Sequence, residues 1–531
     1  MLKCLEWKKE SLMLGEFLFI IVFSIILTLK GFGIYDGQLA FKVFIPIALM
    51  ILLFKILVEE HSFIESIVVI ILLGLFGGLY LITDNKGYII NIILFLGAKN
   101  VSFKRAFHSS VVFAIISIVI NYGFAFAGKS VGATFIHNKL GGEILRYSFG
   151  NSHPNNMHMT YVIMCILLLY SLKDDIEKLK KYNLVLVLVS VLLFLYTLSY
   201  TGIMLSAFIF VGVIYFCLTH SGTNVIEIVI VYFSILICFL FSSIFPFLLL
   251  QNNELFEKIN WDVFHGRLSF LISYYKAYDV SVFPQRINDY SRVWYQLDNS
   301  FAELFLECGI IVFLGITIFI MYTIWYLFKK NNKLAIIFIV VQLLGGISDP
   351  YLFNSSSRNL IILWMGQCFY DFSRKKFGNK VIRIAIFDDI RGVTITMPQI
   401  YGKWDIKRNL RYLLIIISLA VAISSSLIVN MYKKWPQAYG VAAEKSDIEW
   451  QESNGVSEQP TYGELVDRED IVIYNVHDFG EKIVVFDTPR MLAVERIRYL
   501  ILVFVNTFVI TSIMILLIYR LGQKEDKIRE K

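Results

Sequence analysis

Long apolar runs, broken by short polar stretches, recur from one end of the chain to the other. About fourteen of them match or approach the roughly 17–25 residues that fill the hydrocarbon thickness of a bilayer. They cover residues 12–30, 39–57, 64–82, 87–98, 108–127, 156–172, 183–198, 201–218, 225–250, 301–328, 334–347, 359–373, 411–430 and 497–519. Lipid offers the backbone no hydrogen-bond partners, so such runs must be helical. The run at 87–98 is short for a crossing, and a re-entrant helix there would change the side of every later loop. The pattern predicts an all-α integral membrane protein, a polytopic helical bundle of about fourteen transmembrane helices. Two long extracytoplasmic loops, 128–155 and 251–300, and a small C-terminal extracytoplasmic segment, 431–496, complete the layout.

Composition agrees. The 531 residues are 57% hydrophobic and 17% charged, with mean hydropathy +0.65, whereas a soluble chain is nearer half apolar and a quarter charged. The net charge of +7 is read as topology rather than as a nucleic-acid surface. With the N-terminus inside, one set of loops is basic: Lys99/Lys104/Arg105, Lys178/Lys180/Lys181, Lys329/Lys330/Lys333, Arg374/Lys375/Lys376 and the tail from Arg520. The opposite set, 128–155, 251–300, 348–358 and 431–496, is mixed or acidic. The positive-inside rule then predicts that both termini are cytoplasmic. Lys3, Lys8 and Lys9 precede the first run and no small-residue cleavage site follows, so the expectation is an uncleaved first helix. The six cysteines are scattered, with no metal-ligand or disulfide spacing. Character shifts near 377, giving a membrane part at 1–376, a cytoplasmic linker at 377–410 and a two-helix module at 411–531 with β-like runs at 470–476 and 482–487.

Several outward segments could carry chemistry. Arg146-Tyr-Ser-Phe-Gly150-Asn-Ser-His153-Pro-Asn155-Asn156 opens the sixth span. Ser152 suits an N-cap and Pro154 a first helical turn, and Pro154 biases His153 towards an extended backbone. A His at a helix N-terminus stays neutral beside an anion site, as a general base for a hydroxyl requires; the plainer reading is a capping turn. Arg146, Arg267, Arg286, Arg292 and Arg358 form an outward set suited to forked contacts with phosphate oxygens, or else to snorkelling at the interface. Leu297-Asp298-Asn299-Ser300-Phe301 reads as an N-cap, with Asp298 able to hold a sugar hydroxyl or orient an arginine. The aromatic residues of 251–300, including Trp261, Phe264, Phe270 and Tyr274, predict a packed or bilayer-skimming element, with a helix at 266–279. No Walker A loop, dinucleotide fingerprint or outward D-x-D pair occurs, which argues against ATP-driven or nucleotide-sugar chemistry. Charge inside the spans is sparse, with Lys42, Glu303 and Glu307 the main cases, and that argues against a proton-coupled pump.

Over roughly residues 10–375 the chain resembles the O-antigen and capsule repeat-unit polymerases (Wzy-type). The resemblance rests on Ser148-Phe-Gly-Asn-Ser-His153-Pro-Asn155, Leu198-Ser-Tyr200-Thr-Gly202 between two spans, Gly266-Arg267, Leu297-Asp298-Asn299-Ser300-Phe301 and the late Asn354–Asn359 loop, an ordered set in which Gly266-Arg267 and Leu297–Phe301 follow the family's order and spacing. Tyr200 departs from it, standing where the family often has arginine. The resemblance implies a metal- and cofactor-independent glycosyltransferase in a bacterial cytoplasmic membrane. It would join undecaprenyl-diphosphate-linked oligosaccharides on the outer side into capsule, exopolysaccharide or O-antigen, with a chain-length regulator and a flippase as partners and no nucleic acid. Its expected site is His153 and Asp298 for catalysis, with Arg146, Asn155, Arg267, Arg292, Asn299 and Arg358 holding diphosphate and sugar. The C-terminal layout is similar to chain-length regulators. An O-antigen ligase, a lipid-linked oligosaccharide flippase or a non-catalytic assembly component are the alternatives.

Overall fold

A computed structural model describes residues 5–126, 134–139, 142–219, 224–264, 266–287, 293, 297–377, 381–382, 385–391, 393–402, 408–442, 462–465, 468, 470–474 and 483–529. The chain divides into two compact units. One comprises Ser11–Ser130 and Gly150–Met397, and the other Met1–Glu10, Val131–Phe149 and Pro398–Lys531.

The larger unit is mainly helical, with one short antiparallel pair between His61–Ser62 and Val381–Ile382. Its helices are α1 (Leu14–Gly31), α2 (Leu39–Val58), α3 (Phe63–Thr83), α4 (Lys86–Gly97), α5 (Phe103–Phe126), α6 (Pro154–Ser171), α7 (Ile176–Thr197), α8 (Tyr200–Leu218) and α9 (Val225–Ser243). Three short helices follow, α10 (Phe245–Leu249), α11 (Asn253–Asp262) and α12 (Arg267–Ala277), then α13 (Ser300–Lys329), α14 (Lys333–Gly345), α15 (Ile361–Phe377) and α16 (Asp388–Arg391). Among the described residues each apolar run of the sequence falls on helix, the run at 225–250 as two helices, α9 and α10. Across the described residues of both units, ten helices are long and apolar enough to cross a membrane, while α4 and α14 are shorter apolar helices. The chain is therefore an all-α, polytopic membrane protein.

Burial sorts these helices. Only 17% of the apolar window of each of α3 and α9 is buried, so their Ile70, Leu81, Val229 and Ile230 face outward, as lipid-facing side chains do. The short α4 is the opposite case: its residues from Ile90 to Gly97 are all buried. Asn91 donates to the Leu352 carbonyl at 3.4 Å, and Tyr370 on α15 donates to the Leu96 carbonyl at 3.0 Å. The run at 87–98 is thus a core helix. Phe19 and Phe23 stack along α1, Phe103 and Phe107 stack along α5, the two pairs meet at a tilt, and Phe107 meets Trp364 edge-on.

Charge inside this unit is more abundant than the sequence suggested, and it is paired. Lys55 bonds Glu59 at 2.6 Å, Lys99 bonds Glu65 at 2.5 Å, Arg105 bonds Glu16 at 2.6 Å and Lys333 bonds Glu227 at 2.8 Å. Lys55 and Glu59 are one helical turn apart, while the other three pairs join residues distant in the sequence; pairing lets charge and apolar environment coexist. Lys42, expected as buried charge within a span, does lie in the apolar helix α2, but its side chain is exposed. Glu303 and Glu307 do face inward, where Asn85 donates to both, at 3.3 and 3.0 Å.

Helix α13 is broken at Gly309, whose φ of 77° and ψ of 169° are not helical. A Cβ there would lie 2.7 Å from the Val282 and Phe283 carbonyls, so glycine fits both the backbone sign and the close approach. The irregular segment beside the break takes over part of the lost ladder: Ile310 N–H donates to the Ser281 carbonyl at 3.0 Å, and Gln285 N–H to the Glu307 carbonyl at 2.9 Å.

In the smaller unit, strands Thr134–Lys139 and Gly142–Tyr147 form an antiparallel hairpin with Phe135 opposite Arg146. Its long helices are α17 (Arg408–Tyr432) and, beyond the one-turn α18 (Tyr462–Leu465), α19 (Pro489–Arg529). Strand Ala438–Ala442 pairs in parallel with Ile471–Tyr474 and antiparallel with Ile483–Phe486. The last two strands fall in the expected β-like runs. The hairpin, read from sequence as part of a long loop of the membrane region, belongs to this unit: Arg498 on α19 donates to the Leu145 carbonyl at 2.7 Å, and Tyr147 to Glu495 at 2.6 Å.

Candidate functional site

The helix ends of the larger unit collect into two sets of loops. At one end lie the N-termini of α6, α12, α13 and α15, with the turns α1–α2, α3–α4 and α7–α8. The candidate site is built there.

Helix α6 starts at Pro154, which has no N–H and so begins a helix without leaving a donor unmet. The cap is His153 rather than Ser152: its backbone is extended (φ −155°, ψ 147°), and its Nδ1 accepts from Asn155 N–H at 3.2 Å. Ser152 Oγ accepts instead from the Asn156 amide at 2.9 Å. With Nδ1 serving as acceptor, a neutral imidazole carries its proton on Nε2, so its other nitrogen is a donor.

Arg358 reaches back to this same turn. Its guanidinium donates to Asn156 Oδ1 at 2.9 Å, the Asn156 carbonyl at 3.1 Å and Thr160 Oγ1 at 3.1 Å, while Nε stays buried without a partner among the described residues. Arg358 is thus 8% exposed and rigidly placed.

The α12 and α13 termini supply a second arginine. Gly266 caps α12 with φ 86°, a left-handed turn suited to glycine, and Arg267 follows at once. Its Nε pairs with Asp298 Oδ2 at 3.1 Å, both side chains being part-exposed. Asp298 does not cap α13. Asn299 does, accepting from Phe301 and Ala302 N–H at 3.0 and 2.9 Å. Its amide nitrogen also donates to Ser242 Oγ and the Ile347 carbonyl, both at 2.9 Å. Asp298 is thereby left to orient the arginine.

Asp349, passed over in the sequence, links these parts. Ser300 Oγ donates to its carbonyl at 2.7 Å, and its carboxyl interacts electrostatically with Arg358, Asp298 and Arg267. Burial pushes that carboxyl up to about 6, against the opposing pull of the two arginines. Burial also raises Asp298, with Arg267 holding it back. Next to it, Ser348 Oγ meets Thr201 Oγ1 at 3.2 Å, which brings the Leu198–Gly202 turn to this end. Tyr200 heads α8 and meets Phe194 edge-on at 5.5 Å. Lys30, at the last turn of α1, is buried within electrostatic reach of Arg358 and Asp36.

His153, Asn155, Arg267, Asp298, Asn299 and Arg358 therefore share one end of the unit. Arg286 is also there but exposed, 3.2 Å from exposed Asp84. Arg146 lies in the smaller unit, 2% exposed in its hairpin, and is buried rather than presented to solvent. Arg292 falls outside the described residues. The sequence does not single out Thr160, Lys30 or Asp349, and Asn156 stands in the His153 stretch without a role of its own. Asp349 had one signal, an acid directly after an apolar run on the outward side, but Asp-Pro also reads as an ordinary turn.

No family model, no curated protein and no solved structure matches this chain. What is established is the class: a polytopic helical membrane protein with an arginine–carboxylate cluster at one end of its larger unit.

Proposed function

We propose that this end polymerises lipid-diphosphate-linked oligosaccharide repeat units on the outer side of a bacterial cytoplasmic membrane. The observation that carries the reading is the placement of Arg267 and Arg358 about the Asp298–Asp349 pair, beside the His153-capped turn. Two fixed guanidinium groups suit a diphosphate, whose charge grows as it departs. The acceptor hydroxyl oxygen bonds to the donor's anomeric carbon while the carbon–oxygen bond to the diphosphate breaks. The bonding electron pair leaves on the diphosphate, and the hydroxyl proton passes to the Asp349 carboxylate. Asp298 holds Arg267 in place. His153 helps orient the acceptor, a role its cap bond favours over that of base.

Arg267→Ala tests this in cells that make the glycan, with membrane levels of the chain verified. The expected outcome is collapse of the glycan ladder to single lipid-linked repeats, with turnover reduced about 10²-fold or more, the cost of removing one such donor. An unchanged ladder overturns the reading. Full-length glycan that stays on its lipid carrier would instead indicate a ligase.

A further inference from the structure

A polar pocket of about 350 Å³ opens at the other end of the larger unit, where α6, α13 and α15 finish and α14 begins. The loops there are tied together. The Asn332 amide donates to Tyr170 at 2.9 Å, Lys330 stands 3.4 Å from Asp371, and Lys104 pairs with Asp174. This is the end that carries the basic loops.

Its lining holds two lysines, Lys173 and Lys330, and two carboxylates, Asp174 and Asp371. Both lining carboxylates are already engaged: Asp371 accepts from the Tyr326 hydroxyl and Lys330, and Asp174 accepts from Lys104. The cations are not matched one for one. Lys173 lies 4.9 Å over the Tyr170 ring, and no carboxylate pairs with it among the described residues. A cation resting on an aromatic face keeps its N–H groups available to an anion. Gln367 adds an amide from α15, half-buried and with no hydrogen-bond partner among the described residues.

Depth is set by the neighbouring turn of α13. Trp325 is 47% exposed, stacks on Tyr322 at 5.4 Å and carries Lys329 5.2 Å over its ring. An outward Trp–Tyr pair followed by lysines marks the headgroup level of a membrane, and anionic lipids concentrate at the basic face of membrane proteins.

We infer that this pocket binds a phosphate group, held by Lys173 and Lys330 with Gln367 beside it, and that the phosphate belongs to an anionic phospholipid headgroup. Free inorganic phosphate shares the recognition chemistry but lacks the acyl chains that would lie along the outward face of α13.

The test uses the full chain in uncharged detergent, followed by its thermal unfolding midpoint. It is titrated with short-chain phosphatidylglycerol, with a diacylglycerol of the same chain length, and with inorganic phosphate. Phosphatidylglycerol should raise the midpoint saturably and diacylglycerol should not. Lys173→Gln/Lys330→Gln should weaken apparent binding at least about ten-fold, the scale of one charge-assisted contact. Lys375→Gln/Lys376→Gln removes equal charge elsewhere on this face and should leave binding unchanged. If the first double variant starts with a lowered midpoint, Lys173→Gln alone should still weaken binding. Inorganic phosphate that competes with the lipid would show a site open to the free ion as well. Equal responses to both lipids, or equal losses in the two double variants, overturn the inference.

Discussion

The two ends of the larger unit carry charge in opposite ways. At the α6–α13–α15 starts, arginines converge on carboxylates: Arg267 on Asp298, and Arg358 within reach of Asp349. At the opposite end lysines predominate, and several rest on aromatic rings, Lys173 on Tyr170 and Lys329 on Trp325. Fixed, forked cations held by hydrogen bonds suit a reaction that needs exact placement. Mobile ammonium groups on an aromatic belt suit a membrane surface. What separates the ends is how each cation is held, more than the sign of the charge.

The sharpest way to break this comparison is Asp349→Asn. If its carboxylate accepts the proton, turnover should fall about 10²–10⁴-fold, the usual range for losing a general base. The wild-type pH profile should be full at neutral pH and fall about ten-fold per unit below a midpoint near 6, where the buried carboxyl gains its proton; the variant's profile should lack that limb. Stability should move the other way. A carboxyl raised by burial binds its proton more tightly in the folded chain, so stability is lost as pH rises through about 6. Asp349→Asn should therefore raise the neutral-pH unfolding midpoint while slowing turnover, and a lowered midpoint would place Asp349 in a structural role.

Glu65→Gln probes the opposite end. It leaves Lys99, whose side chain is 7% exposed, without its carboxylate. Breaking a buried pair from one side costs about 3–5 kcal/mol, which should appear as a large drop in thermal midpoint with the pH profile of turnover unaltered. The smallest effect is expected of Arg286→Ala. Its pair with Asp84 is 61% and 63% exposed, the kind worth about 0–1 kcal/mol at most. Ladder length and midpoint should both stay close to wild type, and a collapsed ladder would extend the site to that rim.

Much of this architecture was legible in the sequence, because a span needs a contiguous apolar run and nothing else. The roles of neighbouring residues were not. Asp298 and Asn299 are both good caps by propensity, and which one turns inward depends on Ser242 and Ile347, more than forty residues away in either direction. Ser152 lost the cap to His153 because Asn156 claimed its hydroxyl. The ion pairs Lys99–Glu65 and Arg105–Glu16 were hidden for the same reason: a lone charge in an apolar run looks costly until its partner on another helix is known. The Thr134–Tyr147 hairpin was read as loop because its strands are six residues each and their support, α19, lies some 350 residues further on.

Helix α4 has a consequence for how the protein is made. At 12 residues it is about 18 Å long, well short of a bilayer, and a nascent chain cannot leave such a segment alone in lipid. It enters in the company of α3, to which the tight Asp84–Asn85 turn joins it. Its final environment comes from Leu352 and Tyr370, which are synthesised more than 250 residues later. The centre of the bundle is therefore the last part to be completed. A ribosome-bound intermediate halted before α15 should leave α4 open to reagents that the finished protein excludes.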